Sequence, residues 1–207
     1  MMTYEKKILI SLVLIWGFLS LFSGCSLTTI DNKRAMFLYQ DGILLSSKGD
    51  FDGALEKFNA SIRISEENGF ADGVAHNYNE IGNIYTYKNK FDIAREYYQK
   101  ALSIYEEKNM APEVSKSMDN IAKTYLRQGD YVRTLEQYET LLSWDKASGN
   151  RLGAGITNYN MALICEKYTM AHEKAKQYYQ DALDIFLSLD KEKEALEAQK
   201  GIQRMTF

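Results

Sequence analysis

The sequence predicts an all-α chain of stacked helix pairs, and three observations carry that prediction. A dipeptide position recurs every 40 residues, as Asp41-Gly42, Ile81-Gly82, Ile121-Ala122 and Met161-Ala162. Two aromatic series keep the same interval: Phe51, Phe91 and Tyr131, then Phe58, Tyr98 and Tyr138. Composition agrees, because a single Pro interrupts few helices and 45% apolar residues give them surface to bury. A helical hairpin of this length cannot bury its apolar stripe alone, so successive copies stack as a solenoid.

The repeats are preceded by a different kind of segment. Lys6-Lys7 lead into an apolar run, Ile8 to Phe22, followed by Ser23-Gly24-Cys25. That run is shorter than the ~20 residues a transmembrane helix needs. A basic start, an apolar centre and small residues before a cut site read as a secretory signal over residues 1–24. Leu21-Phe22-Ser23-Gly24-Cys25 resembles the bacterial lipobox, with Phe22 where Leu is commoner. The resemblance implies that the Cys25 thiol takes a diacylglycerol, that cleavage follows Gly24, and that the new N-terminus is acylated. A thiolate is the nucleophile such a transfer requires. A single chain holds weakly at ~0.8 kcal/mol per buried CH₂, which is why such anchors carry more than one. Ser26, rather than Asp, follows the Cys. In a Gram-negative cell this implies the outer membrane, facing the periplasm; otherwise it implies the outer face of the plasma membrane. With Cys25 lipidated, Cys165 has no partner for an intramolecular disulfide. Its register, shared with Tyr85 and Tyr125, is an inward one, suited to a small buried hydrophobe.

Residues 25–30 form the lipidated Cys and a tether, and four helix pairs are expected over 31–190. In the first pair, Leu38, Gly42 and Leu45 precede the turn Lys48-Gly49-Asp50, and Phe51, Ala54, Phe58 and Ile62 follow it. Asn68-Gly69 supplies a left-handed residue that ends the second helix. The second pair places Tyr78, Ile81, Gly82 and Tyr85 on one helix and Ala94, Tyr98 and Ala101 on the next, at the offsets of a buried helical stripe. Its small residues let the two backbones approach. The third pair carries Met118, Ile121, Ala122 and Tyr125, then Thr134, Tyr138 and Leu141. Pro112 stands just inside its start, where a missing N–H costs nothing, and Gly149 ends it. The fourth keeps Met161-Ala162 and Cys165, but Ala175, Tyr179 and Ala182 come one residue late, which predicts an insertion in the turn around Tyr168 to Glu173. Residues 191–207 read as a charged capping helix that covers the last core and faces water.

Gly or Ala at one fixed place, Ala further on, an aromatic four residues later and then Ala resembles the tetratricopeptide repeat. Ile81-Gly82, Tyr85, Ala94, Tyr98 and Ala101 match that pattern in full. The 40-residue period is similar to the extended repeats of kinesin light chain and bacterial peptide-sensing regulators. The resemblance implies a right-handed superhelix whose first helices line a concave groove for an extended peptide or a partner protein. The residues it places on that face include Asn79, Asn83, Lys116, Asn120, Lys123, Arg127, Tyr159 and Asn160. Asparagine amides can pair with both the N–H and the C=O of an extended chain, and Asn120 and Asn160 match positions that hold peptide backbone in the extended branch. Lys116, Lys123 and Arg127 gather positive charge on one helix of a chain whose formal net charge is −3, suited to a carboxylate or acidic segment.

Other functions find little support. No basic run exists for nucleic acid. His172-Glu173 lacks the second His of a metalloprotease helix, so no metal site is expected. Gly149, Gly153 and Gly155 follow no strand and make no phosphate loop. The expectation is therefore a non-enzymatic, cofactor-free adaptor, held to the membrane through its N-terminal lipid. An alternative is a structural factor for assembling a pilus or secretion apparatus, acting through the convex face or as a homo-oligomer.

Overall fold

The computed structural model describes residues 30–205, and among them every regular element is helical. The first helix, α1, covers 30–47. It is followed by α2 (Phe51–Glu67), α3 (Ala71–Tyr87), α4 (Phe91–Glu107), α5 (Ala111–Gln128), α6 (Tyr131–Ser148), α7 (Arg151–Ile164), α8 (His172–Ser188) and α9 (Glu192–Arg204). The fold is an all-α helical repeat. The signal segment, Cys25 and most of the tether lie outside the described residues.

The helices keep a metric that explains the sequence period. Left-handed residues end them at Gly49, Gly69, Asn89, Asn109, Gly129 and Gly149, one every 20 residues. Each such residue turns the chain before its carbonyls run out of partners, as when Asp130 N–H returns to the Tyr125 carbonyl at 3.0 Å. Asp50, Asp130 and Asn150 then cap the following helices by accepting from a backbone N–H three residues on. Pro112 lies in the first turn of α5, where no intrahelical N–H is lost.

The expected insertion is present, but not as a longer loop. Residues Cys165–Thr169 widen into a π-helical turn, and Met170 takes the left-handed position at φ 54°. The Ala171 N–H reaches back to the Cys165 carbonyl at 3.0 Å. The extra residue is thus absorbed inside the helix, which preserves its hydrogen bonding and delivers α8 to its proper register.

The chain divides into two compact units, residues 1–77 and 78–207. In the first, Gly42 lies against the buried Phe58 ring; a Cβ there would stand 2.5 Å from it. In the second, Gly82 faces Tyr98 in the same way, at 2.6 Å. Ala122 and Ala162 share that register and are fully buried in clusters with Tyr138 and Tyr179. Ala94 and Ala101 are fully buried on the helix that carries Tyr98. Cys165 is buried, and burial pushes its thiol above the ordinary value, which makes it a hydrophobe rather than a nucleophile. At the C-terminal end, α9 turns Ala195, Ala198 and Gly201 inward over Tyr179 and Phe186 and leaves its charges outside.

Candidate functional site

The core tyrosines decide where polar groups of the first helices point. Each buried ring carries one hydroxyl that must find a partner at the surface. Tyr98 donates to Asn83 Oδ1 at 2.8 Å, Tyr138 to Asp119 Oδ1 at 2.9 Å, and Tyr179 to Glu166. Burial raises all three above the ordinary tyrosine value, Tyr98 to about 12, so they stay neutral donors across the physiological range. The residues they meet are thereby held in fixed orientations on the faces of α3, α5 and the π turn.

A ladder of side chains then runs from helix to helix. Asn120 Nδ2 on α5 donates to Asn79 Oδ1 on α3 at 3.1 Å, and Asn160 Nδ2 on α7 approaches Asp119 Oδ1 on α5 at 3.5 Å. Asn83 also donates to Glu80 at 2.8 Å. Of these amides, Asn79 is buried, while Asn83, Asn120 and Asn160 are half-buried. Asn79 therefore sits beneath the face and orients Asn120, rather than standing on it.

The three cations on α5 have different surroundings. Lys116 is exposed on the rim of a cavity. Lys123 pairs with Asp119, and Arg127 donates to Asn89 Oδ1 at 3.3 Å with its guanidinium over the Phe91 ring. The positive charge expected on this helix is thus partly neutralised by Asp119. Asp119 collects Tyr138, Lys123 and Asn160, and it is the junction of the ladder.

Two cavities open on the same face. One, of about 260 Å³, lies between α5 and α7, with Lys116, Asp119, Leu152 and Ile156 at its walls. Behind it, Asp145 is fully buried near the end of α6. Its Oδ1 accepts from Ser115 Oγ at 2.6 Å and Asn150 Nδ2 at 2.8 Å, and its Oδ2 accepts from Thr157 Oγ1 at 3.2 Å. Burial outweighs these bonds and raises its carboxyl above the ordinary value. The other cavity, of about 270 Å³, lies between α7 and α9 and is walled by Ile156, Tyr159, Phe186, Lys193, Glu194 and Glu197. Ile156 borders both and is 45% exposed. Tyr159, expected at the site, meets Tyr179 edge-on at 5.6 Å and forms one wall.

The buried Asp145 cluster was not visible in the sequence, where a helix-end aspartate reads as solvated. Asn150 offered a faint signal, as a capping residue followed by Gly153. Among the described residues, no three His, Cys, Asp or Glu side chains gather as metal ligands, and no helix is long and apolar enough to cross a membrane. Cys25 lies outside the described residues.

The family model described as "SNAP: Soluble NSF attachment protein, SNAP" matches residues 22–152. The chain belongs to that family. Solved structures share its fold at low identity. The apo form of RapI matches with a TM-score of 0.72 at 18% identity, covering 83% of this chain and 47% of that one. A Signal Transduction ATPase with Numerous Domains protein from Pyrococcus horikoshii, which has a tetratricopeptide repeat sensor, gives 0.70 at 18%, covering 83% and 27%. BtubC (BKLC) from P. vanneervenii gives 0.53 at 14%, covering 87% and 89%. The chain thus spans less than half the length of the first two. No match was found among curated protein sequences.

Proposed function

We propose that this chain is a membrane-anchored bacterial lipoprotein that serves as a non-catalytic adaptor, holding a partner protein or extended peptide on the face formed by α5 and α7. The supporting observation is the pre-ordered ladder through Asn120, Asp119 and Asn160, flanked by two cavities that share Ile156. Side chains fixed by neighbours lose little freedom when a partner arrives, so their hydrogen bonds add directly to affinity. An extended segment crossing this face meets amides for its backbone and cavities for alternate side chains. Lys116 on the rim suits a carboxylate. The anchor is Cys25, and the extended kinesin light chain type of repeat is the branch this reading favours. The family description itself concerns attachment to another protein.

Affinity capture from native envelopes tests the reading, with wild-type chain beside an Asn120→Ala, Asn160→Ala double variant of unchanged helicity. A protein retained by wild type and lost by the variant is the expected result. Equal retention by both would move the working surface elsewhere. Loss of membrane fractionation in Cys25→Ser tests the anchor separately.

A further inference from the structure

One side of α1 carries an apolar line that the fold leaves largely uncovered. Ile30, Phe37 and Leu44 recur at the heptad interval, so they fall along a single edge of the helix. They are 60%, 62% and 52% exposed. The opposite side, with Ala35 and Gly42, is buried against α2, where the Ser61 hydroxyl donates to the Ala35 carbonyl at 2.8 Å. Met36 and Gln40 turn to a third side, where they join Ser65 and Asn77 in lining a cavity of about 280 Å³.

The later first helices show what the uncovered side is shaped to meet. In the repeat register, positions 34, 37, 41 and 44 correspond to Val114, Ser117, Ile121 and Thr124 on α5. On α7 they correspond to Ala154, Thr157, Met161 and Ile164. All of these are buried. The preceding helix packs on each set: Arg95 of α4 donates to Thr124 Oγ1 at 3.0 Å, and Thr157 donates to Asp145 of α6 at 3.2 Å. On α1 the same stacking surface carries Arg34, Phe37, Asp41 and Leu44, and it is exposed. Among the described residues no helix precedes it.

The pattern on that surface is symmetric about Phe37. Ile30 and Leu44 lie seven residues to either side, and Arg34 and Asp41 lie three before and four after. A second α1, antiparallel and related by a two-fold axis at Phe37, therefore sets Ile30 against Leu44 and Arg34 against Asp41, twice each. A bilayer suits the surface less. An interfacial helix buries a broad apolar face, whereas this is a line one residue wide with an acid beside it. A facing helix needs only such a line.

We propose that α1 is a self-association surface. Two copies of this chain pair antiparallel through Ile30, Phe37 and Leu44, with Arg34 of each copy facing Asp41 of the other. The proposal rests on the lipoprotein reading in one respect: cleavage after Gly24 leaves residues 25–29 before α1, too few to cover the surface from within the chain. The anchor also holds the copies in one plane, which raises their effective concentration.

The test is sedimentation velocity at about 10 μM on protein expressed from the full sequence and extracted in detergent, with intact mass on the same sample. Wild type is expected to sediment as a dimer. Phe37→Glu, Arg34→Glu and Asp41→Arg should each weaken it at least about tenfold, because each sets like charges against one another. All three positions are exposed, and circular dichroism confirms that the helices are kept. Mixing Arg34→Glu with Asp41→Arg restores opposite charges at both contacts, so a mixed dimer forms where neither variant pairs alone. A monomeric wild type, a dimer that every variant retains, or no mixed dimer would overturn the proposal. A monomer that floats with phosphatidylglycerol vesicles through Phe37 would overturn it in favour of the bilayer. Intact mass separates the two readings. A cleaved, acylated monomer sinks this proposal alone, and a monomer that keeps residues 1–24 sinks the lipoprotein reading with it.

Discussion

Ser65 and Asp145 occupy one register of the repeat and have opposite fates. Asp145 is a buried carboxylate surrounded by Ser115, Asn150 and Thr157, with both oxygens bonded. Ser65 is a buried hydroxyl with no hydrogen-bond partner among the described residues. The helical frame is the same in both places: a second helix supplies the floor, and two first helices supply the walls. What differs is whether the chain closes the cavity with its own polar groups. A repeat fold can therefore hold its backbone metric constant and vary the chemistry between helices from one unit to the next.

The largest expected effect breaks the closed cavity. Asp145→Ala should cost about 2–4 kcal/mol in denaturant unfolding, because it leaves three donors without their acceptor in a buried setting. Ser65→Ala removes an atom that bonds to nothing and should change stability by less than ~0.5 kcal/mol. Similar losses in both variants would show that the two floors are not different in kind.

A smaller effect separates the two by pH. The folded Asp145 carboxyl lies above the ordinary aspartate value of 3.8, and burial is the cause. An acid whose folded value is raised binds its proton more tightly when folded. Its contribution is therefore largest at low pH and declines as pH rises from 3.8 through the folded value. The melting temperature of wild type minus that of Asp145→Asn should fall across that window. Ser65→Ala should show no such trend. A difference that stays flat for Asp145 would contradict its burial as a carboxylate.

Much of the fold was legible because its signal is periodic. Gly42, Gly82, Ala122 and Ala162 lie on a fixed interval since each must admit an aromatic or a backbone at close range, and sequence spacing reports that constraint directly. The insertion near Tyr168 was legible too, but its form was not. A turn loop and a π-helical turn both add one residue, and the choice depends on whether the Cys165 carbonyl keeps a partner, which spacing does not encode. The site was less legible. Asn79, Asn120 and Asn160 share a helical face in sequence, yet a bond from Asn120 to a buried Asn79 arises only when successive repeats stack. Asp119 and Lys123 likewise pair across one turn of α5, which tempers a positive stripe that residue types alone suggested. Asp145 was missed for a plain reason: burial of a charge near a helix end is set by the neighbouring repeat, not by the helix that carries it.

The most direct measurement of the central claim is site-specific photocrosslinking in intact envelopes, with the probe placed in turn at Lys116 and at Val132. Lys116 stands on the rim of the cavity between α5 and α7, and Val132 is 70% exposed at the start of α6, outside the walls of both cavities of this unit. A partner adduct from Lys116 and none from Val132 is the predicted result. Adducts from Val132 alone would contradict the account and place the working surface on the second helices.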